Sequence, residues 1–458
     1  MSKVTTTYIC DTCGTQAPMA MGRCPGCGAW GTMQAQVSAK SSKSSGRGAR
    51  KSSLGTSVVT ADISTTRMAD VPAVAVMRTP SGISEVDLVL GGGWVAGASL
   101  LIAGEPGIGK STLLLQLAHE ATLEGRDTLY VAGEESLEQI SLRAERLGVS
   151  GNLTLTRETS AWQLAEYLRA HAPPLAIIDS IQTLTSDDDG IPGSLTQVRD
   201  STALLSQAAK DTGTTLVLIG HITKQGNIAG PKVIEHIVDA TLALEVASDY
   251  RVLRSLKNRF GAAGEVGVFE MTAQGMNAVG NPSLAFLAER PRGVPGSVVA
   301  ASLEGQRPLF LEVQALAAKS PYSSPRRIVQ GLEQRRVDVV LAVLERRINL
   351  PLEGLDVYVN VAGGLRLTDP GTDLAVATAV YSAVTNQAVS EGTAVVGEVG
   401  LAGELRSVPQ LARRSSEASR CGFERVISPT TGPTTGPTTS GGRHVSTLAD
   451  ALKAIWEV

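Results

Sequence analysis

Gly104-Glu105-Pro106-Gly107-Ile108-Gly109-Lys110-Ser111 fits G-x-x-x-x-G-K-[ST], the pattern of a loop that cradles phosphates. Its surroundings fit as well. Ser99 to Ala103 (SLLIA) reads as a short buried strand, and Thr112 to Ala121 (TLLLQLAHEA) as a helix with a heavy apolar face. In such a strand–loop–helix unit the glycines let backbone N–H groups close on an anion, and the helix N-terminus adds its positive dipole end. Gly104 to Thr112 is therefore the expected ATP-binding segment, with Lys110 on the β- and γ-phosphates and Ser111 on Mg²⁺.

Downstream, Thr128 to Ala132 reads as a strand ending at Gly133-Glu134-Glu135-Ser136. A carboxylate at that place can activate an attacking water, and Glu134 is the expected base; the alternative is that the acids decorate a helix start. Ser136 is an expected helix cap, with Gln139 at the capping-box position. Ala161 to Ala170 reads as a helix broken by Pro173-Pro174. Leu175 to Ser180 (LAIIDS) is then a hydrophobic strand ending in Asp179, expected to complete the Mg²⁺ shell with Ser111. Leu216 to Gly220 is a further core strand, and His221 at its end is placed either to sense the γ-phosphate or to serve structure alone. The segment from His221 to Lys232 carries Lys224 and Lys232. It is either a DNA-phosphate-binding loop or a plain surface loop. Lys257-Asn258-Arg259-Phe260-Gly261 ends a strand-like run from Arg251. Its two cations, so far along the chain from the loop, suggest fingers inserted into a neighbouring subunit's site.

The 458 residues suffice for two or three domains, and a net charge of -3 points to no class of partner. Aromatic residues make up only 3%, which weakens any argument from base stacking. No apolar run is long enough to span a membrane and the N-terminus lacks a secretory core, so a cytoplasmic protein is expected. Four of five cysteines form Cys10-x-x-Cys13 and Cys24-x-x-Cys27. That spacing lets four thiolates face one tetrahedral ion, so structural zinc is expected, with a redox dithiol or disulfides as the alternatives. The expected domains are a zinc knuckle at 1–35, a cationic, disordered linker at 36–60, a nucleotide-binding core at 61–280 and a C-terminal α/β domain at 281–458. The linker is either a phosphate-binding tether or a soluble spacer.

The knuckle, GEPGIGKS, Glu134-Glu135-Ser136, IIDS, GHITK and KNRFG, in this order, resemble the bacterial RadA/Sms family of RecA-related DNA repair ATPases. The resemblance runs over nearly the whole chain. It implies a RecA-like core, a hexameric ring around single-stranded DNA, ATP-driven branch migration of recombination intermediates, and a RecA-type recombinase as partner. It also implies that Lys257 and Arg259 act in trans, as paired cations do in ring helicases of the DnaB type, and that Lys224, Lys232 and Arg259 contact DNA. The alternative is an ATP-binding switch or adaptor that does not translocate.

Beyond Asn281-Pro282 the chain alternates strands (Ser297 to Leu303, Leu309 to Ala315, Asp356 to Val361) and helices (Gly331 to Arg347, Asp373 to Ser382, Pro409 to Cys421), and is similar to the proteolytic domain of Lon. Its chemistry departs from Lon. The nucleophile position falls on Gly371 and the lysine position on Ala412. Thr372 offers a displaced hydroxyl, and Arg413 a cation that cannot act as a base. A scaffold without peptidase activity is expected, in which Arg326, Arg327, Arg335, Arg336, Arg346 and Arg347 either add phosphate contacts or form a solvated face. The repeat from Pro429 to Ser440 reads as a loop of no obvious role.

Overall fold

The computed structural model describes residues 5–10, 16–17, 19, 21–25, 30, 33–38, 67, 77–149, 153–186, 191–221, 232–430 and 442–456. The chain divides into two units, Met1–Ala73 and Val74–Val458. In the first, Thr5–Cys10 pairs antiparallel with Gln16–Ala17 on one side and Met33–Ser38 on the other. This strand extends through Ser38, three residues into the stretch expected as linker; residues 39–60 lie outside the described residues.

In the second unit, nine described strands form one sheet. Its order is Gly275–Ala278, Val266–Thr272, Tyr250–Asn258, Ala240–Ala247, Ser99–Gly104, Thr215–His221, Leu175–Asp179, Thr128–Ala132, Leu153–Thr156. The six from Ala240–Ala247 to Leu153–Thr156 run parallel, and the first three are antiparallel additions. Central parallel strands are covered on both faces, which is why SLLIAG, TLYVA and LAIID are buried at every residue. One face packs under the helix Lys110–Leu123 through Leu113, Leu114 and Leu117. The other packs under Ala161–His171 and Leu195–Thr212 through Leu164, Leu168 and Leu205.

Seven further strands form the C-terminal sheet, in the order Arg327–Gln330, Leu355–Val361, Arg307–Lys319, Ser297–Glu304, Thr393–Val395, Arg425–Pro429, Gly442–Val445. Its core is continuous with the last strands of the first sheet: Ala247, Val252, Val266 and Val268 belong to the same apolar cluster as Val298, Leu311 and Leu374. Two ion pairs cross this junction, Arg307 Nη1 to Glu85 Oε2 at 2.6 Å and Arg254 Nη1 to Glu304 Oε2 at 2.5 Å.

Several element ends differ from the sequence reading. The helix expected from Gly331 begins at Gln334, because Gly331 adopts φ 77. The helix expected from Pro409 begins at Leu411, after Gln410 at φ 53. The strand around Leu309 runs the full length of Arg307–Lys319. The repeat at 431–441 lies outside the described residues.

Candidate functional site

Register brings the expected residues together. Gly104 lies opposite His221, and Asp179 opposite Ala132, so four neighbouring strands end level at one edge of the sheet. The phosphate loop leaves Gly104 and returns as the helix Lys110–Leu123. Gly109 sits at φ 113, and a Cβ there would lie 2.5 Å from the methyls of Met271 and Met276, so only glycine fits. Glu105, Pro106 and Gly107 are exposed, whereas Ile108 is 4% exposed and anchors the loop.

Lys110 Nζ donates to the carbonyls of Gly104 (2.9 Å) and Glu105 (3.0 Å) and lies 3.2 Å from His221 Nδ1. Burial lowers its pKa, against the opposing charges of Asp179 and Glu134. Asp179 accepts from Tyr130 Oη at 2.7 Å and from Ser111. Burial pushes its carboxyl up, and these two hydrogen bonds resist the shift. Burial, then the Asp179 charge, holds the Tyr130 phenol well above its usual range, so Tyr130 is a fixed donor. The Asp179–Ser180 peptide is cis.

Glu134 accepts from Ser180 Oγ, and from His221 Nε2 at 3.0 Å, both on Oε1. Burial alone would raise its pKa. The Ser180 and His221 hydrogen bonds and the Lys110 charge outweigh burial and hold it below its ordinary value. A protonated Lys110 can only donate, so His221 accepts at Nδ1 and carries its proton on Nε2, aimed at Glu134. Its neighbour Glu135 pairs through Oε1 with Arg143 at 2.6 Å, across the start of the helix Leu137–Arg146. Ser136 and Gln139 form the expected capping box. The donor set suits a magnesium nucleotide: the Ser111 hydroxyl and the Asp179 carboxylate would hold the metal, Lys110 and the loop amides the phosphates. Bound magnesium would screen phosphate charge. Glu134 Oε1 is taken by Ser180 and His221.

Lys257 and Arg259 lie at the opposite edge. Lys257 Nζ donates to Val238 O at 2.7 Å and to Glu235 O; Arg259 Nη1 pairs with Asp239 Oδ1 at 3.1 Å. Asp239 in turn accepts from Ser99, where the loop-bearing strand begins. Burial, then the Arg259 charge, lowers the Lys257 pKa. Arg259 is half exposed. Lys224 lies outside the described residues, and Lys232 opens the short helix Lys232–Ile237. Of the expected zinc ligands, Cys10 ends a strand and Cys24 is buried; Cys13 and Cys27 lie outside the described residues.

In the C-terminal domain, a guanidinium lies beside Gly371, the position read as that of Lon's nucleophile. Arg414 is fully buried, donates to Ala301 O at 2.6 Å and Pro409 O at 3.0 Å, and pairs with Asp369. A Cβ on Gly371 would stand 3.2 Å from Arg414 Nη1. Thr372 is 1% exposed and donates its hydroxyl to Asp369 O at 2.7 Å, so it is no free nucleophile. Ala412 is exposed. Two of the expected phosphate-binding arginines are engaged elsewhere: Arg336 forks onto both oxygens of Asp373, and Arg327 onto the carbonyls of Leu355 and Arg326. Arg335, Arg346 and Arg347 are exposed, and Arg326 lies 4.2 Å from the Tyr322 ring centre.

The sequence reading missed Tyr130, Ser180 and Arg414. A tyrosine inside an apolar strand, a serine after the Walker acid and an arginine in a polar helix carry no spacing signal.

Comparison with known proteins adds three family matches: a rubredoxin metal binding domain at residues 8–35, an AAA domain at 65–227, and subunit ChlI of Mg-chelatase at 328–432. The chain is similar to the DNA repair protein RadA of Halalkalibacterium halodurans (43% identity over 466 residues, 99% of each chain) and of Bacillus subtilis (40% over 459 residues, 99% of each). It is similar also to that of Salmonella typhimurium, at 43% over 426 residues and 92% of each chain. Among solved structures, a KaiC-like protein from Pyrococcus horikoshii matches at 20% identity and TM-score 0.39, covering 45% of this chain and all of that one. The architecture is thus a rubredoxin-like zinc ribbon, a RecA-like P-loop core and a C-terminal domain like ChlI and Lon. No helix among the described residues is long and apolar enough to cross a membrane.

Proposed function

The chain belongs to the RadA family of DNA repair proteins, and on that premise we propose that it is a DNA-dependent ATPase moving on single-stranded DNA to branch-migrate recombination intermediates. It works as a hexameric ring, with Mg-ATP as fuel, zinc on the four N-terminal cysteines and a RecA-type recombinase as partner. Glu134 Oε2 takes a proton from the water that attacks the γ-phosphate, releasing ADP and phosphate. Lys110 and the loop amides hold the phosphates, and Lys257 and Arg259 reach the site of the next subunit.

One observation carries the reading. His221 touches both Lys110 and Glu134, and the chain leaves it directly into the segment of Lys224. The segment 222–231 thus joins the chain at a hydrogen-bond partner of the base, and DNA bound to it would act on Glu134 through His221. The C-terminal domain is read as a scaffold, since the position matching Lon's nucleophile is glycine, with the buried Arg414 packed beside it.

The test is ATP hydrolysis with and without single-stranded DNA. Turnover should rise with DNA and vanish in Lys110→Ala. Indifference to DNA would refute the motor, and turnover without branch migration on a synthetic junction would favour the adaptor.

A further inference from the structure

Glu134 stands on a loop with its side chain 39% exposed, yet base catalysis needs one oxygen held toward the water. The residue that holds it is not among those a phosphate-loop motif names. We propose that Ser180 is a positioning residue for the general base, fixing the Glu134 carboxylate so that Oε2 alone faces the attacking water. This rests on the reading of Glu134 as base.

Ser180 is fully buried, and its one hydroxyl proton goes to Glu134 Oε1. His221 Nε2 donates to the same oxygen. Two donors on Oε1 restrain the carboxylate against rotation, so Oε2 is the oxygen left for a water. Ser180 itself is clamped from behind. Its carbonyl accepts from Thr183 Oγ1 at 2.8 Å and from Thr183 N at 3.2 Å. The two strand ends are laced by Gly133 N donating to Asp179 O at 2.7 Å. Gly133 completes the circuit, because a Cβ there would lie 2.0 Å from Thr183 Oγ1. The residue before Glu134 is thus shaped to Thr183, Thr183 holds Ser180, and Ser180 holds Glu134.

The arrangement also divides the labour of adjacent residues. Asp179 faces Ser111 and Tyr130, on the metal side. Ser180 faces the base. A buried serine needing only a partner for its hydroxyl could be satisfied by a nearby carbonyl. This one is directed at a half-exposed carboxylate, which gains orientation from it.

Steady-state ATPase kinetics on the full chain with single-stranded DNA test this. The variants are Ser180→Ala, Ser180→Cys, Glu134→Gln and Ser180→Ala/Glu134→Gln. Affinity for a fluorescent ADP analogue and a thermal melt are read alongside. General-base catalysis supplies about 10²–10⁴-fold, so removing one of two restraints should lower kcat about tenfold. Ser180→Cys, with a weaker donor, should fall between. KM for ATP, ADP affinity and melting temperature should hold, since alanine removes one oxygen and strands no buried charge. The double variant should be no slower than Glu134→Gln. Wild-type kcat in Ser180→Ala would overturn the proposal, as would an equal further loss on the Glu134→Gln background. Parallel losses of kcat and ADP affinity would also overturn it, showing a merely structural role. Undiminished kcat in Glu134→Gln would instead remove the base assignment on which the proposal stands.

Discussion

Two inactive variants should repair one another if Lys257 and Arg259 serve a neighbour's nucleotide. The geometry excludes service to their own. Arg259 is tied through Asp239 to Ser99, and the phosphate loop starts at Gly104, at the far end of that six-residue strand. At about 3.3 Å per residue the two are roughly 17 Å apart, with the buried sheet between them. No side chain spans that. If Arg259 serves the reaction, a competent site needs Lys110 from one subunit and Arg259 from the next, a head-to-tail contact of the kind that closes rings. Loss of such a cation costs about 10³–10⁵ in kcat, so Arg259→Ala alone should be as silent as Lys110→Ala. In a randomly assembled equimolar mixture, an interface has a chance of about one half of supplying an intact loop and about one half of supplying an intact finger. Recovery should approach a quarter of wild-type turnover, and it should peak at equal mixing and fall on either side. The assay is DNA-stimulated phosphate release from oligomers dissociated, mixed and reassembled, with two affinity tags proving co-assembly. Confirmed mixed oligomers with no recovery would refute the reasoning.

Four further outcomes follow. Glu134 is held below its ordinary carboxylate value, so its ionised, active form should persist into acid, and the acid limb of kcat should lie below that range; His221→Ala removes one of the hydrogen bonds and should move the limb toward neutrality in a pH–rate profile. Arg414→Ala strands the buried Asp369 carboxylate and should cost about 3–5 kcal/mol in urea unfolding, with Asp369→Asn/Arg414→Met costing less than the two singles summed. On the same site, Gly371→Ser/Ala412→Lys should release no peptide from labelled casein, because position 371 is buried beside the Arg414–Asp369 ion pair while Ala412 is exposed. The N-terminal unit should carry about one zinc per chain by metal analysis, lost in Cys10→Ser, and a chelator should unfold it, since so short a segment depends on metal for its stability.

Much of the site was legible because its parts are local. The phosphate loop needs Gly104, Gly107, Gly109 and Lys110 close together in the chain, Asp179 ends an apolar run, and Ser136 and Gln139 sit three residues apart in the capping box the structure contains. Each of these reads within one turn or one strand. The wiring between them was not legible. Lys110 meets His221 across 111 residues, His221 meets Glu134 across 87, and Ser180 meets Glu134 across 46. Only strand order and register decide such meetings, and neither leaves a spacing in the sequence. The arginines of the C-terminal domain show the converse. Read as a cationic face, Arg336 and Arg327 turn out to be tied to Asp373 and to backbone carbonyls.

By itself the sequence determined that this chain binds a nucleoside triphosphate, carries paired cysteines at zinc spacing, and lacks Lon's serine and lysine at Gly371 and Ala412. Those follow from residue identity at fixed local spacing. Tertiary structure alone decided that Ser180 and His221 share one oxygen of Glu134, that the buried Arg414 packs beside Gly371, and that Lys257 and Arg259 stand at the edge of the sheet away from their own phosphate loop. Each depends on the pairing of strands far apart in the chain, where hydrophobic burial across the whole sheet, and no single motif, sets which ends lie side by side.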